Sequence, residues 1–545
     1  MATMRRSRAG ARARSGSSAR LWLGIFGTLA LVVVAFLIAV VVWSGASLGS
    51  DSTALAQLSV GPFGGTLQSV HAFGPAGRPI PISVTEGRLI PRVRLVPGER
   101  VSVEAVVRRP GWNAWALGST SNVRLTLQAP VAQVSSRWLT VAAGGAPRVH
   151  FDQPVAAVAF GSGSDPARRT LASPADSVAV ASHAQAGSVL VFAAARSWER
   201  LGRPVRVVWF PDSSTPMMVA TPAPGSQVSP AGQIQLMFSK PVSEVLGSQL
   251  PRLTPSTPGH WRQIDSHTLA FTPSGYGAAF ASHLRVSLPH PIQLAGSAGG
   301  RAGLASQIEW NVPAGSTLRL QQLLAQAGYL PLQWTPAGGE AKRTPAAEVQ
   351  AAVAPPAGSF TWRYPNTPSA LKGLWNPGEA NTMTKGAVMM FENEHGMTSD
   401  GVAGSQVWRA LIGAAIAGKQ RTAGYTYVYV HREIPETLTL WHSGRTVLTT
   451  PANTGIAGAE TELGTFAVFE HIPEGTMEGT NPDGSHYKDE GIKWISYFNG
   501  GDAVHNFDRA SFGTPQSLGC VELPLQASAE VWPYMPIGTL VTIAG

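Results

Sequence analysis

One cysteine, Cys520, occurs among the 545 residues, so no internal disulfide can brace the fold. A solitary thiol in a chain whose N-terminus reads as an export signal asks for a chemical reason, and nucleophilic catalysis supplies one. Charge is also scarce: Asp, Glu, Lys and Arg make up 13% of the residues, against 59 glycines and 42 prolines. That balance disfavours long surface helices and favours short strands joined by turns. The net charge of +9 overstates the basicity, because six arginines (Arg5, Arg6, Arg8, Arg12, Arg14, Arg20) and no acid fall within residues 1–20. Without that tail no basic footprint remains, and no nucleic-acid partner is expected. Metal spacings are lacking too. The polar segment holding His471, Glu474, Glu478, His486, Asp489 and Glu490 has no H-E-x-x-H pattern, and Asp400-Gly401 is not followed by the carboxylates of a calcium loop. Neither a metal nor a cofactor is expected.

What the N-terminus does have is an uncharged run from Leu21 to Trp43, about 35 Å long as a helix against a hydrocarbon core of about 30 Å. Trp22 and Trp43 stand at its ends, where indoles favour the membrane interface. The arginine-rich side is expected to stay cytoplasmic, leaving 44–545 outside as the bulk of a single-pass membrane protein. A cleaved signal peptide is the competing reading, although its apolar region is shorter, about 7 to 15 residues.

The exported part reads as a series of domains: β-rich units over 55–129 and 130–212, a sandwich over 215–313, a helical unit over 316–418, and a mostly β unit over 422–545. Val101–Val107 and Val205–Phe210 are short β-branched runs bounded by turn residues. In 215–313, Gln233–Phe238, Thr268–Pro273 and Leu284–Leu288 alternate with turn signals, and the stretch resembles bacterial immunoglobulin-like modules of cell-envelope proteins. At Leu318–Tyr329 the period changes to a helical one ended by Gly328. "LQQLLAQAGYL" with "AVMMFENEHGMTSDGVAGSQVWRALI" is similar to a peptidoglycan-binding-like helical domain, interrupted over 333–383 by a segment in which Trp362 and Trp375 are read as core aromatics. Tyr427–Val430, Arg445–Thr450 and Leu540–Ile543 bring strands back in the last unit.

The chemistry concentrates there. Cys520 follows a Ser517-Leu518-Gly519 turn, and His505 lies fifteen residues earlier in a strand-like stretch. A thiol with an ordinary pKa of about 8.5 needs a base to become a nucleophile, and glycine before it lets substrate approach the backbone, whose N–H groups can serve as oxyanion donors.

Thr461–Phe466, Ala503-Val504-His505 and Ser517-Leu518-Gly519-Cys520-Val521, in this order, resemble the YkuD-type L,D-transpeptidase family. The resemblance implies Cys520 as nucleophile, His505 as general base and acid, and Gly519 with Cys520 as oxyanion donors. It implies Tyr487, Met477 and Ser517 as substrate contacts, the first two from a hairpin flap. Leu518 departs from the family's second histidine, Glu522 from its Arg or Asn, and the interval between His505 and Ser517 is slightly short.

The expected fold is multidomain and mainly β: a cytoplasmic tail (1–20), a transmembrane helix (21–43), β-sandwich modules, a small helical peptidoglycan-binding-like domain and a C-terminal L,D-transpeptidase catalytic domain. The implied activity is attack on a peptidoglycan stem tetrapeptide, release of its terminal D-alanine, and transfer to a neighbouring stem as a 3→3 cross-link. Two alternatives remain open at this level. Water or a protein amine as acceptor would give an L,D-carboxypeptidase or an envelope-protein anchoring transferase, and loss of activity would leave a wall-binding protein.

Overall fold

The structure is a computed structural model that describes residues 17–142, 144–161, 166–182, 186–295, 303–338 and 342–545, without the side chains of 17–27 and 116. The chain divides into two compact units, 1–214 and 215–545. The basic tail expected over 1–20 falls mostly outside the described residues.

In the first unit an apolar helix, Ser17–Trp43, leads into strands. Its stretch with described side chains, 28–43, rises about 24 Å, short of a hydrocarbon core of about 30 Å. Among the described residues no helix is long and apolar enough to cross a membrane. The transmembrane helix expected over 21–43 is thus not shown by the fold, and the side chains of 21–27 lie outside the description. Two separate cores follow. One gathers Leu89, Leu95, Val101 and Val103, and the other Val149, Val155, Val191 and Val207. Strict alternation along Arg100–Arg108, where every second side chain is buried, shows why that segment is a strand with one wet face. Trp198 comes from the later sequence yet packs in the earlier core, its indole N–H donating to the Thr53 carbonyl at 2.8 Å.

In the second unit, the strands of 215–313 hydrogen-bond into one seven-stranded sheet rather than the two sheets of the expected sandwich. The long strand His283–Leu294 causes this. It pairs with Arg252–Thr254 through 285–287, breaks register after Ser287, and pairs in parallel with Met217–Thr221 through 293–294.

The helices Thr317–Gln326, Thr382–Glu394 and Ser405–Ala417 share a core with the terminal domain. That domain has two sheets. The first contains β1 (Thr426–His431), β2 (Thr437–His442), β3 (Arg445–Pro451), β4 (Gly464–Ala467) and β9 (Leu540–Ala544), ordered β3-β2-β1-β9-β4. The second contains β5 (Glu470–Thr480), β6 (His486–Asn499), β7 (Asp502–Asn506) and β8 (Val521–Leu523), in that order. Period-two alternation divides the first sheet's faces: Tyr427 and Leu540 meet the helices, while Val428, Val430, Val541 and Ile543 meet Val504, Val521 and Leu523 of the second sheet. The helix Thr382–Glu394 and the turn before β9 meet at Gly386 and Gly538, where a Cβ on either would strike the other's carbonyl oxygen. The domain carrying the thiol is therefore clamped on one face by helices and built around an apolar layer between its own sheets.

Candidate active site

All the expected site residues lie on the second sheet or on the loop that enters β8. β7 and β8 run parallel, with Val504 opposite Val521 and His505 opposite Glu522. Residues opposite each other share a face, and Cys520, in the bend just before β8, packs in one cluster with Ala503 and Phe507, the residues two before and two after His505. Glu522 acts electrostatically on both the imidazole and the thiol, as the shared neighbour this geometry requires.

His505 is 2% exposed, and its Nδ1 is 2.7 Å from the Asn506 carbonyl oxygen. A carbonyl only accepts, so Nδ1 carries the proton and Nε2 presents a lone pair. Nε2 is buried and has no protein partner. Burial holds this imidazole below its ordinary pKa, with Arg509 adding to the effect and the Asn506 carbonyl and Glu522 opposing it. His505 is thereby a neutral base with its accepting nitrogen free.

Cys520 is half-buried, and its Sγ lies 3.7 Å from the Gly501 carbonyl oxygen. Burial pushes the thiol up to about 12, helped by the carboxylates of Asp502 and Glu522 and resisted by the Ala503 backbone. Both shifts favour a neutral thiol and a neutral imidazole at rest, and no hydrogen bond joins Cys520 Sγ to His505 Nε2.

The turn before the nucleophile is held from two sides. Ser517 donates from Oγ to the Cys520 carbonyl at 2.6 Å, and the Gly519 N–H donates to Ser517 Oγ at 3.3 Å. Behind it, the Thr454 carbonyl accepts from the Gln516 and Ser517 N–H groups at 2.8 and 3.0 Å. Thr454 is fixed in turn by buried Glu436, which accepts its N–H at 2.7 Å and its hydroxyl at 2.6 Å. Gly519 has φ +116°, a conformation L-residues avoid, and a Cβ there would collide with the Asp502 carboxylate. Gly519→Ala is expected to cost about 2 kcal/mol of stability, read by urea denaturation, together with loss of turnover.

The sheet continues outward as the β5–β6 hairpin, interrupted by a bulge between Gly475 and Met477. Met477 shares an apolar cluster with Cys520, Ile492, Ile495 and Phe507. Tyr487 crosses over Gly479, where a Cβ would meet its ring. Burial raises the Tyr487 hydroxyl's pKa, and the nearby Cys520 sulfur, when ionised, is the next cause. Met477 and Tyr487 thus flank the sulfur from the flap side.

Four neighbours escaped the sequence reading. Tyr497 feels the Cys520 charge as Tyr487 does. Asp502 abuts Gly519, its carboxyl pushed up to about 6 by burial and then by Glu462. The Asn506 carbonyl fixes the tautomer of His505. Arg509 grips Glu522 with two bonds of 2.8 and 2.7 Å, and its guanidinium lies 4.4 Å from the Phe507 ring centre. Only the last had a usable signal, since an acid beside a buried strand demands a cation. Arg509→Met is expected to cost about 2 kcal/mol, because it strands the Glu522 carboxylate while the arginine itself is partly solvated. Adding Glu522→Gln should restore most of that loss in the same denaturation experiment.

Among the described residues no group of three or more His, Cys, Asp or Glu is arranged to hold a metal ion. Comparison with curated proteins finds no match. Solved structures with similarity include an L,D-transpeptidase from Mycobacterium smegmatis, 13% identical, covering 61% of this chain and 100% of that one at a TM-score of 0.21. L,D-transpeptidase 3 from Mycobacterium tuberculosis is 11% identical, covering 60% and 97% at 0.21. The catalytic domain of the E. faecium L,D-transpeptidase is 25% identical, covering 22% and 96% at 0.21. At these TM-scores the overlays add nothing to the assignment, which rests on the family match over residues 425–543. That stretch, with Cys520 and His505 inside it, is a YkuD L,D-transpeptidase catalytic domain.

Proposed function

We propose that this chain is a membrane-anchored, extracytoplasmic L,D-transpeptidase that works through a cysteine acyl-enzyme and forms 3→3 peptidoglycan cross-links. The observation that carries the reading is His505, whose Nδ1–H is committed to the Asn506 carbonyl while Nε2 stays buried without a protein partner, in the strand whose Ala503 packs in one cluster with Cys520.

In the proposed cycle, Nε2 takes the Cys520 proton as sulfur attacks the carbonyl carbon of the donor stem's penultimate residue. The tetrahedral intermediate collapses, the C–N bond to the terminal D-alanine breaks, and His505 returns the proton to the departing amine. An amine of a second stem then attacks the thioester carbon, gives its proton to Nε2, and sulfur leaves and regains it. Cys520 N–H is the proposed oxyanion donor, with Gly519 as its partner only once substrate draws the Gly519 N–H away from Ser517 Oγ. Ser517 acts chiefly as a brace of the turn, and Tyr487 and Met477 bound the donor from the flap. Anchoring rests on the uncharged run Leu21–Trp43 after the arginine tail. The Arg509 clasp occupies both oxygens of Glu522, the residue that departs from the family's Arg or Asn, so that carboxylate is engaged within the fold.

The test supplies purified tetrapeptide muropeptides to the wild type and Cys520→Ala in parallel. Dimers carrying 3→3 links from the wild type alone are expected. Tripeptide monomers instead of dimers would make water the acceptor, and identical profiles would leave a wall-binding protein without activity.

A further inference from the structure

A cavity lies in the helical unit, and Cys520 and His505 are not among its lining residues. It has a volume of about 490 Å³ and runs between the helix Thr317–Gln326, the strand Leu332–Pro336 and the end of the helix Ser405–Ala417, a size typical of small-ligand sites. Three of its lining residues carry a buried polar atom with no protein partner: Arg319 at Nε, Trp334 at Nε1 and Gln326 at Oε1. Arg319 and Trp334 are only 2% and 8% exposed. Arg319 is held in place by Glu348 at 2.5 Å and Gln322 at 3.1 Å, and its guanidinium stands 5.7 Å from the Trp334 ring centre. Orphaned groups of this kind are destabilising unless something meets them.

The orphans specify what that something is. Arg319 Nε and Trp334 Nε1 only donate, so they need acceptors, while Gln326 Oε1 needs a donor. Arg343, Arg363 and Lys419 also line the cavity, so its walls hold four cationic side chains and one carboxylate, that of Glu348. Arg363 is already aligned by donating to the Ala325 carbonyl at 3.2 Å. We propose that this cavity binds a phosphorylated polyol or sugar, whose phosphate oxygens meet the cationic wall and the two N–H donors and whose hydroxyl donates to Gln326 Oε1. Guanidinium groups suit a phosphate's geometry, and the acceptor oxygen separates a hydroxylated phosphate from a bare one.

The full chain is titrated calorimetrically with glycerol 3-phosphate, inorganic phosphate and glycerol. Glycerol 3-phosphate is expected to bind, inorganic phosphate about tenfold more weakly, and glycerol not at all. Gln326→Leu should narrow the gap between the two phosphates about fivefold, and exposed Lys419→Ala should weaken both about threefold. Cys520→Ala should bind like the wild type, which separates this proposal from the catalytic one. Absence of binding to the wild type would overturn the proposal. Binding unchanged in both cavity variants would place the ligand elsewhere, and equal affinity for the two phosphates would remove the hydroxyl from the recognition.

Discussion

Cys520→Ala is expected to abolish both cross-linking and covalent capture of a carbapenem, with turnover falling by about 10⁴-fold or more. The expectation is this large because Cys520 is the chain's one thiol, so no neighbouring sulfur can take over. Intact-mass analysis reads the capture directly: one adduct on the wild type and none on the variant. Stability should barely change, since the thiol is half-buried and its polar contact is a long one to the Gly501 carbonyl. An adduct that persists in Cys520→Ala would move the nucleophile to another residue. The rate of capture carries further information. A thiol pushed up to about 12 is nearly all protonated near neutrality, so a small alkylating agent that cannot enlist His505 should react more slowly than with an ordinary cysteine thiol. A β-lactam bound beside Cys520 and His505 should react faster than that reagent by a wide margin. Selectivity of this kind separates a nucleophile activated on demand from one held as thiolate.

How much of this was legible in the sequence depends on whether chemistry or topology set the feature. Cys520 and His505 stood out because the reaction demands those side chains and few other pairings were available. Gly519 was legible as a position for glycine, but the stated reason was incomplete, since the Asp502 carboxylate fills the space a side chain would take. Asp502 is seventeen positions away, and only the adjacency of β7 and β8 brings it there. Arg509, three residues past the end of β7, folds back onto Glu522, which in sequence read as an isolated departure from a motif. Met477 and Tyr487 were placed from a loose hairpin resemblance, and the hairpin is continuous with the catalytic sheet, although its bulge left no mark in the residue pattern. Tyr427 read as an ordinary strand aromatic, whereas with Trp441 it forms the floor on which the helices rest. A helical period and a strand period can each be read locally, but nothing local says which apolar face will cover which. The immunoglobulin-like reading of 215–313 met a similar limit: alternation predicted strands, and the partner switch along His283–Leu294 then joined them in one sheet.

The neutral pair also fixes a pH dependence. Burial holds His505 below its ordinary value of 6.5, so the imidazole remains an active base at mildly acidic pH. Activity should be lost only as pH falls through this depressed folded value. The stability sign agrees: an unfolded imidazole binds its proton at higher pH than the folded one, so protonation favours unfolding and stability declines below about pH 6.5. On the alkaline side, a thiol near 12 adds no limb between about pH 7 and 9. A kcat/KM profile with one acidic limb below 6.5 is therefore expected, not a bell. A thiolate–imidazolium ground state would give the opposite profile, with a second limb as the imidazolium lost its proton at higher pH. It would also show thiolate ultraviolet absorbance near neutrality that Cys520→Ala removes. His505→Gln should cut turnover about a thousandfold and erase the acidic limb. The limb's disappearance distinguishes the base from a residue that merely packs, because a structural loss would lower the rate and leave the pH dependence in place. Asn506 reaches His505 through its backbone carbonyl, so no side-chain substitution there can release the tautomer. That makes the strand β7, rather than any single orienting side chain, the element that keeps Nε2 ready to accept the proton.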